Sequence, residues 1–249
     1  NPCPGKSGQE ETLVTETQYV ILVGNYGSGM TEISLNLALD AASSGKKVAL
    51  VDLDIVNPYF RSSAKKELLD EAGVTLIASP FAHGAIDLPL VSAETASIFK
   101  GKFDYAVIDV GGDPVGATAL GRYKIEFGNV LDRLNANYVI NANRPQTANL
   151  QDIRYMFDLI EARARLKMNW LVNNTNMAAE SSGENLLMGQ ALVEEVSESF
   201  GLPIRWITGT QKVLDEFAGL YEQAGKSGKG FQGELKPITT RMRPAWLDF

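Results

Sequence analysis

The residues with the most chemistry in their spacing are Gly24, Asn25, Tyr26, Gly27, Ser28, Gly29, Met30 and Thr31, which link an apolar run to an amphipathic stretch. Gly24, Gly29 and Thr31 fit the strand-to-helix pattern G-x-x-x-x-G-K-[ST], but the lysine position holds Met30. Glycines at 24, 27 and 29 let successive backbone N–H groups turn inward to cradle phosphate oxygens, and a helix starting beside them adds its positive end. Met30 cannot supply the ammonium that neutralises β- and γ-phosphates, so the pattern favours phosphate binding over phosphoryl transfer.

Three further clusters sit at the ends of apolar runs. Asp52 and Asp54 close one run, and Asp109, followed by Gly111 and Gly112, closes another in the manner of a Walker-B aspartate with a loop after it. A third run ends in Asn173, Asn174, Thr175 and Asn176, which could also form turns or cap the next segment. The only histidine, His83, has no serine or cysteine nucleophile motif beside it and reads as a loop residue.

Short continuous apolar runs position these groups. Residues 19–23, 47–53, 74–78, 105–110, 136–142, 170–172 and 204–207 read as buried strands, and helical periodicity predicts helices over 31–43, 63–71, 91–99, 147–163, 185–200 and 211–220. In the first helix Glu32, Asn36, Asp40 and Ser43 form a polar stripe opposite Ile33, Leu37 and Ala41, and Gly45 is the expected stop. The alternation implies an α/β fold: one three-layer domain with a mainly parallel sheet and helices on both faces. We expect an irregular segment at 1–16, the domain at 17–224 and an extended tail at 225–249, whose Phe231, Trp246 and Phe249 read as a packing strap.

With 30 acidic and 23 basic residues the net charge is −7, which argues against broad electrostatic binding to nucleic acid or anionic lipid. One cysteine, Cys3, can build neither an internal disulfide nor a cysteine metal site and suits a reducing cytoplasm. Neither a membrane-spanning run nor a secretory signal is evident, so we expect a cytoplasmic protein.

With these rim segments in order, the chain resembles the MinD/ParA-type branch of P-loop ATPases over roughly residues 18–220. The resemblance rests on 24–31, on Asp52 and Asp54 with Asn57 and Pro58, on Asp109 with Gly111 and Gly112, and on 173–176. It implies that Thr31 binds Mg²⁺, that Asp109 holds that ion directly or through water, that Asp54 positions the attacking water and that Asp52 assists. It further implies that Gly111 or Gly112 senses the γ-phosphate, that Asn173 or Asn174 reads the adenine edge, and that ATP favours a face-to-face homodimer. That family often carries a second lysine where this chain has Asn25; Arg61, Arg122 and Arg144 are the cations near the rim that could compensate.

The expected function is an ATP- or ADP-binding, Mg²⁺-dependent nucleotide switch acting on an unidentified partner protein, with hydrolysis impaired at Met30. Met30→Lys should raise turnover with little change in nucleotide-free stability. The alternatives are a non-hydrolysing nucleotide-binding scaffold that regulates a partner, and an NAD(P)-binding Rossmann dehydrogenase in which Asp52 would meet the ribose. In the last scheme Thr31, Asp109 and the asparagines have no role.

Overall fold

The computed structural model describes residues 16–54, 63–78, 93–112, 114–224 and 230–242. Asn57, Pro58, Arg61, His83, Trp246 and Phe249 lie outside them.

Strand β1 (Gln18–Gly24) runs into helix α1 (Met30–Ser43); β2 (Val48–Asp52), α2 (Ser63–Glu71), β3 (Thr75–Ala78) and α3 (Ala93–Ala96) follow, and then β4 (Tyr105–Asp109). The second half holds α4 (Pro114–Gly121), α5 (Lys124–Gly128), β5 (Leu134–Ile140), α6 (Leu150–Ala164) and β6 (Trp170–Asn173). It closes with α7 (Gly183–Phe200), β7 (Ile204–Gly209), α8 (Gln211–Gln223) and β8 (Glu234–Pro237). All pairings are parallel, in the order β3-β2-β4-β1-β5-β6-β7-β8.

Side chains of β1 alternate between the faces of the sheet, so this central strand belongs to two cores at once. Tyr19, Ile21 and Val23 pack with Ala117, Leu120, Phe127, Ile153 and Phe157 from α4, α5 and α6. Val20 and Leu22 pack with Ile33, Leu37, Ala38 and Ala41 of α1 and Leu69 of α2. The expected three-layer α/β domain is therefore present. No helix of the described residues is long and apolar enough to cross a membrane.

Two stretches differ from expectation. Residues 110–112 after Asp109 are non-helical, but the helices α4 and α5 that follow were not expected; they form because Ala117, Leu120 and Phe127 find a buried face and Pro114 opens α4 with its φ preset. Within α4, Gly121 serves close packing: a Cβ there would lie 2.4 Å from the Arg163 carbonyl oxygen of α6. The tail expected to be merely extended contributes the eighth strand, pairing Ile207 with Leu235 at the sheet edge.

From β8 onward the chain crosses α1 along the polar stripe. Asn36 donates to the Thr239 carbonyl at 2.9 Å and accepts from the Thr239 N–H at 2.8 Å. The Glu32 carboxylate accepts from the N–H groups of Arg241 and Met242 at 2.7 and 2.9 Å, and Lys236 donates to Asp40 at 2.6 Å. Three of the four stripe residues thus hold a returning segment of the chain, and the helix that starts at Met30 is clamped within its first turn.

Candidate functional site

The strand order brings the rim segments together. β2, β4, β1, β5 and β6 are consecutive neighbours, so the loops that leave their C-terminal ends share one edge, where the two halves of an open α/β sheet diverge and ligands bind.

Between β1 and α1 the chain makes a tight turn closed by the Ser28 N–H donating to the Asn25 carbonyl at 3.0 Å. Gly27 and Gly29 are left-handed, with φ of 77° and 87°, and Gly29 is the residue before the first turn of α1, with no side chain capping it. The helix therefore begins with uncapped N–H groups facing the turn. The Ser28 hydroxyl is buried beside Gly24 and, among the described residues, has no hydrogen-bond partner. Asn25 is fully buried: its amide donates to the Gln146 carbonyl at 3.1 Å, tying the turn to the segment after β5. Tyr26 is 60% exposed on the rim.

Met30 lies 7% exposed in the apolar cluster that contains Val20, Leu22, Ile33, Val139 and Trp206. It is a core residue, and where little change in nucleotide-free stability was expected of Met30→Lys, this burial leads us to expect a cost for placing an ammonium among these side chains.

Carboxylates gather on the β2–β4 side. Asp52 and Asp109 are register partners on adjacent parallel strands, so both point to the same side of the sheet at the same level. Thr31 and Ser34 of α1 hydrogen-bond to Asp109, the Ser34 hydroxyl donating at 3.1 Å. Burial, and then the charge of Asp52, push the Asp109 carboxyl up to about 8 against these hydrogen bonds. Asp54 donates its N–H to Asp52 at 2.9 Å, and its carboxylate stands over Gly111, where an added Cβ would lie 3.0 Å from Oδ1. Gly112 presses on the turn itself: a Cβ there would come within 2.5 Å of the Tyr26 nitrogen. No larger residue fits without displacing the turn or the loop after β4.

The raised Asp109 carboxyl has a measurable consequence. Between the ordinary carboxylate range near 4 and about 8, the folded chain keeps a proton that the unfolded chain has released, so stability falls as pH rises across that window. Urea midpoints taken in EDTA should fall with pH for the wild type and fall less for Asp109→Asn, which is neutral throughout; identical pH slopes in the two proteins would refute the assignment.

On the β6 side both candidate base-reading amides are buried and bonded within the protein. Asn173 donates to Gln190 at 2.9 Å and accepts from the Thr175 N–H at 3.0 Å. Asn174 donates to the Ser28 carbonyl at 2.7 Å and accepts from the Thr208 hydroxyl at 2.7 Å. In this arrangement Asn174 supports the turn, and either amide would have to exchange a protein partner to meet a base.

Sequence reasoning did not single out Ser34, Thr208 or Gln146. Ser34 had a signal, a small polar residue buried between Ile33 and Leu35 that needs a partner in the sheet, whereas nothing local marks Thr208 or the Gln146 carbonyl. Of the three candidate compensating arginines, the structure brings Arg144 to the turn, where its Nε–H donates to the Gly27 carbonyl at 3.0 Å.

This fold is the P-loop NTPase fold, and comparison with solved structures agrees. The chain is similar to the cell division protein FtsY of Thermotoga maritima (18% identity, TM-score 0.56, covering 80% of this chain and 63% of that one). It is similar also to chloroplast FtsY of Physcomitrella patens (14%, 0.53, 77% and 58%). A third is the signal recognition particle 54 kDa protein of Aeropyrum pernix, solved in complex with GDP (20%, 0.52, 85% and 47%). The chain therefore spans less than two thirds of the length of each of these. No family model and no curated protein matches it.

Proposed function

We propose that this protein binds the phosphates of a Mg²⁺-nucleotide in the turn 24–31 and acts as a nucleotide-dependent switch that hydrolyses slowly, with Met30 as the cause. The observation that carries the reading is the turn itself: two left-handed glycines and, among the described residues, no side chain capping the helix start and no partner for the buried Ser28 hydroxyl. The polar groups present fit such a group. Thr31 and Asp109 would hold the ion; among the described residues no three His, Cys, Asp or Glu form a metal cluster, and Mg²⁺ characteristically completes its shell with phosphate oxygens and water. When bound, the ion would supply charge to the β- and γ-oxygens. Asp54, held next to Asp52 and over Gly111, is the carboxylate proposed to orient a water, and Gly112 is proposed to report on what fills the turn, because its backbone abuts Tyr26.

The resemblance to MinD/ParA-type ATPases favours ATP, and the GDP held by the Aeropyrum pernix neighbour is the reason to try guanine nucleotides beside it. With Met30 and Asn25 both buried, neither position offers a cation to the phosphates, which supports binding without efficient turnover and keeps a regulatory scaffold as the second reading. The partner protein and a face-to-face homodimer belong to the same proposal, the exposed Tyr26 lying on the rim such a dimer would share.

Equilibrium binding of MgATP, MgGTP and their nucleosides tests the reading. One nucleotide should bind far more tightly than its nucleoside, and Thr31→Ala and Asp109→Ala should each remove most of the Mg²⁺ dependence. Equal affinity for nucleotide and nucleoside, or Mg²⁺ dependence unchanged in both variants, would overturn it.

A further inference from the structure

A phosphate cradle whose two lysine positions hold a buried Met30 and a buried Asn25 lacks a counter-charge on its own loop, and the fold brings one from elsewhere. We propose that Arg144, on the turn after β5, supplies the cation to the phosphates bound over residues 24–31; this rests on the phosphate-binding reading above.

The guanidinium is already at the turn. Its Nε–H donates to the Gly27 carbonyl at 3.0 Å, and a Cβ placed on Gly27 would lie 3.1 Å from Nε and 3.3 Å from Cζ. Arg144 is therefore laid against the one left-handed glycine in the middle of the cradle. A side chain at position 27 would push it away.

The segment carrying Arg144 is anchored on both sides. The Arg144 N–H donates to the Asn141 carbonyl at 3.1 Å, the Thr147 N–H donates to the Arg144 carbonyl at 2.9 Å, and the buried Thr147 hydroxyl donates to the Asn141 carbonyl. Two residues after Arg144, the Gln146 carbonyl accepts from the Asn25 amide of the turn at 3.1 Å. Two bonds in opposite directions thus join the segment to the turn. Asn25 is the element that fixes Arg144 over it rather than a group that reaches a phosphate itself.

The charge is not spent within the fold. Among the described residues no carboxylate pairs with Arg144, the side chain is exposed, and the bond to Gly27 uses one of five guanidinium N–H groups. The remaining donors form a planar fork suited to two phosphate oxygens at once, a geometry that a lysine on α1 would not reproduce. The ligand class follows: a nucleoside di- or triphosphate, whose terminal oxygens carry the charge, in preference to a monophosphate or nucleoside.

The test uses the full chain, Arg144→Gln and Arg144→Lys, with equilibrium binding of MgATP and MgGTP at two salt concentrations. Arg144→Gln should weaken the preferred nucleotide by at least about tenfold and flatten its salt dependence, while Arg144→Lys, which keeps the charge but not the fork, loses less affinity and keeps the salt dependence. In a Met30→Lys background the Arg144→Gln penalty should shrink, because two cations then share one role. Wild-type affinity in Arg144→Gln overturns the inference and leaves the phosphate reading standing. Equal loss in Arg144→Gln and Arg144→Lys with the salt dependence of the wild type would show that Arg144 only buttresses the Gly27 carbonyl, and also overturns it. Failure of the wild type to bind either nucleotide overturns the phosphate reading, and the inference with it.

Discussion

Gly29→Ala should cost the nucleotide-free protein about 3 kcal/mol and weaken phosphate binding more than tenfold. Two independent costs add. A residue with a Cβ held at φ 87° gives up about 1–2 kcal/mol against glycine. The new Cβ would also lie 2.3 Å from Asn174 Nδ2, which must then leave the Ser28 carbonyl and the Thr208 hydroxyl, exposing two buried polar groups at about 1–3 kcal/mol in all. Against a usual stability of about 5–15 kcal/mol this is a large fraction, and urea unfolding resolves it easily. Combining Gly29→Ala with Asn174→Ala should cost less than the sum of the single changes, since the smaller side chain removes the collision but not the backbone strain. Strict additivity of the pair would mean that Asn174 does not support the turn in the way described.

Met30→Lys should move stability in opposite directions with and without nucleotide. In the free protein an ammonium replaces a thioether inside the cluster of Val20, Leu22, Val139 and Trp206, and must either be buried uncharged or drag its stem toward the rim; we expect a loss of about 1–3 kcal/mol. With Mg²⁺-nucleotide bound, the same ammonium gains phosphate oxygens, and a donor that acts mainly in the transition state is worth roughly 10²–10³ in rate. Turnover at saturating nucleotide should therefore rise by at least about tenfold, a low bound because Arg144 already serves part of the charge. Thermal melts with and without nucleotide, beside a steady-state phosphate-release assay, read both effects. Equal turnover in the two forms would place the neutralising charge wholly elsewhere, and an unchanged nucleotide-free melting temperature would contradict the packing of Met30.

The parallel α/β architecture was legible because it is written locally. Runs such as 19–23 and 105–110 are apolar on both faces, as strands covered by helices on each side must be, and the rim carboxylates and asparagines follow directly from where those runs stop. The glycine turn between β1 and α1 was legible for the same reason: glycine spacing constrains the backbone within eight residues and needs no partner to be recognised. What the local pattern could not decide was which polar side chains face a ligand and which face the protein. Asn174 could have met a base or a carbonyl, and only the adjacency of β6 and β7, with the turn lying across them, commits it to Ser28 and Thr208. The polar stripe of α1 was legible as a stripe but its partner was not: Glu32, Asn36 and Asp40 bind a segment about two hundred residues away, because β8 completes the sheet edge and delivers the chain across that helix. Arg144 is the same case in the site itself. Its position after β5 is visible in the chain, but its contact with Gly27 exists only because β5 pairs with β1, an adjacency set by packing over long sequence separation rather than by any residue type or spacing.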